Sequence, residues 1–79
     1  MTEPITITHA SEDNRRELWR LAALDDRSAP NGPALLAYVG GELRAAVGIV
    51  DGRAVADPFH RTAEIVEILQ FQARKEVAA

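Results

Sequence analysis

The chain of 79 residues predicts a single α+β domain in the order β-α-β-β-β-α, an antiparallel four-stranded sheet with helices packed on it. Three observations predict it. The dipeptides Gly40-Gly41 and Asp51-Gly52 separate apolar runs and supply the positive φ angles of two-residue hairpin turns, which marks a three-stranded meander. Ser11 and Thr62 are good helix N-caps, each placed before a stretch with apolar residues at helical spacing. Hydrophobic residues make up 47% of the chain, yet there is one Trp, one Tyr and two Phe, so one small core must be built from Leu, Ile, Val and Ala.

Each element follows from its own residues. Ile5-Thr6-Ile7-Thr8 alternates apolar and β-branched polar side chains, as a half-buried strand does. His9 and Ala10 lead to Ser11, and acidic Glu12 and Asp13 in the first turn suit the positive end of a helix dipole. Leu18, Leu21, Ala22 and Leu24 form the apolar face of that helix, with Trp19 and Ala23 on its margin, and the pattern fades at Asp25-Asp26; at this spacing Trp19 is expected to pack against the sheet rather than stack on a ligand. Residues 27–33 hold Ser28, Pro30, Asn31, Gly32 and Pro33, which is loop chemistry.

The meander then runs over residues 34–39, 43–50 and 53–57. Strict alternation on its middle strand puts Leu43, Ala45, Val47 and Ile49 on one face and Ala46, Gly48 and Val50 on the other; both faces are apolar, so both are expected to be covered. After Pro58, a helix capped by Thr62 runs to about Val77. Its apolar residues Ile65, Val66, Ile68, Leu69, Phe71 and Ala73 cover more of its circumference than one sheet contact requires.

Composition excludes several function classes. No cysteine occurs, so neither disulfides nor thiolate metal sites are available. The start Met1-Thr2-Glu3-Pro4 has no basic, then apolar, signal-peptide pattern, and no run approaches the roughly 20 apolar residues that span a bilayer. A soluble cytoplasmic protein is the expectation. The formal charge of −3 argues against a nucleic-acid partner. The cluster Arg15, Arg16 and Arg20 reads as a solvated helix face, with Arg16 paired to Glu12 or Asp13 and Arg20 to Glu17. His9 and His60 have no partner at a metal-ligand spacing, and no nucleophile motif is present.

The segment Val55-Ala56-Asp57-Pro58-Phe59-His60-Arg61 closes a strand and opens a helix. Together with the element order, this layout resembles the N-terminal half of a GNAT acetyltransferase domain, in which a strand bearing V-x-x-P or V-x-P leads into an R-x-x-G-x-G/A turn. The resemblance implies that backbone N–H groups at the helix start hold the pyrophosphate of acetyl-CoA or CoA. Carried onto this chain, it assigns that role to Arg61 and to Thr62, Ala63, Glu64 and Ile65. A helix start suits an anion because its donors are unpaired and its dipole is positive there. Glu64 and Val66 stand where the family has small residues; a carboxylate repels a pyrophosphate, and a β-branched side chain keeps the backbone at a distance. Tyr38, the only tyrosine, lies on a strand and does not match the family's late tyrosine acid.

The sequence therefore favours a non-catalytic GNAT-like half-domain that self-associates or binds a protein, with no bound cofactor. The alternative is an acyl-CoA-binding protein or a minimal N-acetyltransferase completed by a second subunit. A half-domain of this kind leaves residues 53–57 as a bare sheet edge and the last helix with surplus apolar surface. A twofold homodimer meets both needs, by joining edge strands or by packing the Ile65, Ile68 and Phe71 surfaces. For single residues, Arg61 reads either as a phosphate contact or as a cation solvated at the helix entry or paired with Asp57 or Glu64, and Asp57 either as a base or as part of a turn.

Overall fold

The computed structural model describes residues 4–30 and 32–78; residues 1–3, on which the signal-peptide argument rests, and Asn31 of the loop lie outside them. The elements are β1 (Ile5–His9), a single 3-10 turn (Glu12–Asn14), α1 (Arg15–Leu24), β2 (Ala34–Val39), β3 (Glu42–Gly48), β4 (Ala54–Ala56) and α2 (Ala63–Ala78). The strands form one antiparallel sheet in the order β1-β2-β3-β4, so the α+β class and the predicted element order hold.

α1 packs over β3 and β4, and α2 over β2 and β3. The two helices lie on opposite faces, as the two cores show. Leu18, Leu21 and Ala22 of α1 meet Leu36, Ala46 and Val55. Leu69 and Ala73 of α2 meet Leu35, Ala37, Ala45 and Val47. Successive strand residues alternate between these layers, which is why β2 is buried on both faces from Ala34 to Ala37.

The middle strand departs from strict alternation. Ala37 pairs with Ala45 but Tyr38 pairs with Leu43, so Arg44 is an extra residue, a β-bulge. The bulge turns Leu43 over to the α1 core, beside Tyr38, instead of leaving it on the Ala45 face that alternation predicts. It also aims Arg44 at the end of β4.

The hairpins differ. Gly40 and Gly41, at φ 59° and 86°, make the predicted tight turn between β2 and β3. The second connection is wider: β3 ends at Gly48, and Ile49 and Val50 belong to the turn. Gly48 donates to Arg53 O at 2.7 Å and Gly52 donates back to Gly48 O at 3.1 Å. A side chain at Gly48 would collide with the Asp51 carboxylate, which packs against this backbone and accepts the Arg53 N–H at 3.0 Å.

α1 is entered and left by backbone devices. The Asn14 Oδ1 reaches back to the Ser11 N–H at 2.6 Å. At the far end Asp26 adopts φ 52°, Asp26 N–H bonds Ala23 O at 3.1 Å and Arg27 N–H bonds Ala22 O at 3.0 Å, the paired bonds of a Schellman motif. Two expectations for α1 fail. Trp19 is 68% exposed, because Leu18, Leu21 and Ala22 already fill the sheet-facing sector and Trp19 falls outside it. Arg16 and Arg20 make no ion pair among the described residues; the Glu17 carboxylate instead accepts the Tyr38 hydroxyl at 3.1 Å.

Candidate functional site

Two regions stand out, the entry to α2 and the open side of the sheet along β1. At the entry, Asp57 is the one buried charged residue among those described. Its Oδ1 accepts the Phe59 N–H at 2.9 Å, closing an Asx turn, while Oδ2 takes Arg44 Nη1 at 2.9 Å and lies 3.1 Å from His60 Nδ1. The Phe59 N–H, then His60 and Arg44, hold the carboxyl below the usual range against the opposing effect of burial. A carboxylate so fully engaged is a structural anchor, and the turn reading of Asp57 prevails over the base. His60 is half exposed and serves this anchor.

Arg61 follows. It is exposed and forms no ion pair among the described residues, because Asp57 is already taken by Arg44 and His60. The pairing with Asp57 or Glu64 is absent, and the exposure of Arg61 agrees with solvation at the helix entry. Thr62 O accepts the Val66 N–H at 2.8 Å, the first bond of α2, so Thr62 is the N-cap position the sequence marks. The N–H groups of Ala63, Glu64 and Ile65 then have no intrahelical acceptor. Ile65 and Val66 pack onto the α2-side core, whereas Glu64 is exposed and shares an open cavity of about 780 Å³ with Arg61, Thr62, Ile5 and Ala56. The structure thus brings together all five residues assigned to the anion site, with a carboxylate among them.

The sheet has two edges, and they are treated differently. The strand expected to be bare, over residues 53–57, is only Ala54–Ala56, and the outward N–H of Ala56 donates to Asp25 Oδ2 at 3.1 Å. The C-terminal end of α1 therefore caps that edge. Among the described residues β1 has no such cover, and all five of its own residues are exposed. Gly40 N–H bonds Pro4 O at 3.0 Å and Ala10 N–H bonds Ala34 O at 2.8 Å, so Thr6 and Thr8 point their backbone groups at β2. Antiparallel alternation leaves the N–H and C=O of Ile5, Ile7 and His9 facing outward.

The side chains of those same three residues lie on the α2 side, opposite Val39, Ala37 and Leu35. His9 Nε2 contacts the Glu76 carboxylate at 2.8 and 2.9 Å, which fixes the end of α2 above the end of β1. Ile5 shares its cavity with Ile65, which sets the start of α2 above the start of β1. The helix thus runs parallel to the strand. Ile68 stands in the helical row of Gln72 and Glu76, on the flank toward β1, and Phe71 stands one turn on. Ile5, Ile7, Ile68 and Phe71 are 47%, 38%, 43% and 52% exposed. Lys75 Nζ sits 4.9 Å from the Phe71 ring centroid.

Sequence reasoning placed Arg61, Thr62 and the apolar surplus of α2, but it missed Arg44, Asp25 and the open β1 edge. Arg44 carried a signal, a guanidinium set between strand residues destined for burial, which requires a buried acid. Among the described residues, no three His, Asp or Glu side chains are grouped to hold a metal, and no helix is long and apolar enough to cross a membrane. Comparison with protein-family models, with curated proteins and with solved structures gave no match.

Proposed function

We propose that this chain is a non-catalytic module that works by self-association or by binding a protein. The observation that carries this reading is the coincidence of an unpaired sheet edge with exposed apolar side chains: Ile5 and Ile7 border the free backbone groups of β1, and Ile68 and Phe71 stand on the helix above. Exposed edges and contiguous apolar surface are normally paired or hidden. The likeness to half of a GNAT domain agrees with such a role, since Glu64 occupies the turn that would receive a pyrophosphate. Sedimentation equilibrium of the purified chain at micromolar concentration tests the reading. A dimer is the expected result, and a monomer counts against self-association.

One observation favours the second reading, an acyl-CoA-binding protein: Arg61 is an exposed cation without an ion pair among the described residues, at the mouth of a cavity lined by the start of α2, whose first N–H groups have no intrahelical acceptor. Calorimetric titration of acetyl-CoA and CoA into wild type and Arg61→Ala decides it. The module reading expects no heat; saturable binding weakened by Arg61→Ala would establish the cofactor site.

A further inference from the structure

The open edge and the stripe above it share one symmetry. Outward-facing backbone groups on β1 occur at Ile5, Ile7 and His9 only, so a second strand can form hydrogen-bonded pairs there only by presenting its own odd-numbered residues. A second copy does so when a twofold axis passes through Ile7. Ile7 then exchanges both bonds with Ile7 of the other copy, and Ile5 pairs with His9 at either end. On the opposite face Thr6 falls beside Thr8, a favourable cross-strand pair.

The helix carries a matching palindrome. Glu64, Ile68, Phe71 and Lys75 are spaced four, three and four residues apart, which makes them one exposed stripe of α2. Because α2 runs parallel to β1, the same axis sets the two helices antiparallel. Glu64 then stands opposite Lys75, and Ile68 opposite Phe71, across the twofold axis, each pair occurring twice. The stripe is centred between Ile68 and Phe71, and the cavity that Ile5 and Ile65 both line at one end and the His9–Glu76 pair at the other put that centre level with Ile7. Strand spacing of about 4.8 Å, with α2 over β2 and β3, sets the two helix axes roughly 20 Å apart. Ile5 and Ile7 of both copies floor the trough between them, and the opposite charges at positions 64 and 75 face each other across it.

From this double match we infer that the occupant of the β1 edge is a second copy of the chain, joined by antiparallel β1–β1 pairing about Ile7 into one continuous eight-stranded sheet. The inference rests on the self-association reading above and names its interface. The charge pattern singles out a second copy, since an acid, two apolar residues and a base in that order are their own complement when reversed.

The chain has no cysteine, so a single introduced thiol reports cleanly. A hydrogen-bonded antiparallel pair holds its Cα atoms about 5.5 Å apart, within disulfide range. Ile7→Cys is expected to form a reducible covalent dimer under mild oxidation. Thr6→Cys, which faces Thr8 and not itself, is expected to stay unlinked alone and to link when mixed with Thr8→Cys. Glu64→Lys and Lys75→Glu, both on the surface, should each raise the dimer dissociation constant about threefold at low salt. The double reversal should restore it.

If wild type sediments as a dimer while Ile7→Cys links no faster than Thr6→Cys and the charge swap gives no rescue, the β1 pairing is wrong and self-association stands on another surface. A monomeric wild type overturns both.

Discussion

Asp57 shows how one carboxylate can set the direction of an element. It gathers the Phe59 amide, Arg44 and His60, and so fixes the turn from which α2 departs. Asp57→Ala should cost about 2–3 kcal/mol in urea denaturation, because Arg44 and the Phe59 amide lose their acceptor. The sign of the pH dependence follows from the lowered carboxyl. Its contribution is full above the ordinary carboxylate range and is lost as pH falls through the depressed native value. The stability gap between wild type and Asp57→Asn should therefore be widest near neutrality and close on acidification. Asp57 was visible in the sequence as a turn residue, but its partner was not: Arg44 reaches it only because of a bulge, and strict alternation contains no bulge. Trp19 taught the same lesson. A helix face has room for a limited number of large side chains, and three residues had already filled it. Leu18→Ala should cost about 2–5 kcal/mol and Trp19→Ala far less, while the sole tryptophan should fluoresce as a water-exposed indole open to iodide quenching.

Among the elements, α1 does two jobs. Its apolar face closes one side of the sheet, and its end seals β4 through Asp25. That end is held by an aspartate in the left-handed region, at φ 52°, where glycine is at ease. Asp26→Gly should stabilise the protein by roughly 0.5–1 kcal/mol, read as a shift of the urea midpoint at unchanged slope. Strand and helix existence was legible throughout, since dipeptide turns, caps and periodicity are local. Which edge stays open was not. Edge protection by Asp25 joins residues distant in the chain, and a run of alternating Ile and Thr reads alike whether its outer side is covered or bare.

For the molecule, the division into two half-cores has a cost. Each helix has one sheet face to itself, so each core is thin, and the second leaves Ile68 and Phe71 outside it. A domain of this size gains little stability from one layer of aliphatic residues. The self-association proposed above would feed directly into folding, and the melting temperature should then rise with protein concentration, as scanning calorimetry over a hundredfold range would show. The composition announced an aliphatic core and the pattern on α2 announced a surplus; neither could say that the surplus would lie beside a free strand. The candidate anion site was legible as a motif of five consecutive residues, and the binding it would imply rests on the titration.

His9 clasping Glu76 places the end of α2 over the end of β1, with the start of β1 lying one strand length back. A peptide joined from the end of that helix to the start of that strand would have to travel antiparallel to β1 for about 17 Å, five residues at strand rise. Its path is the open edge itself. A circular permutant with a linker of that length would supply its own fifth strand, converting an open edge into one that is satisfied from within.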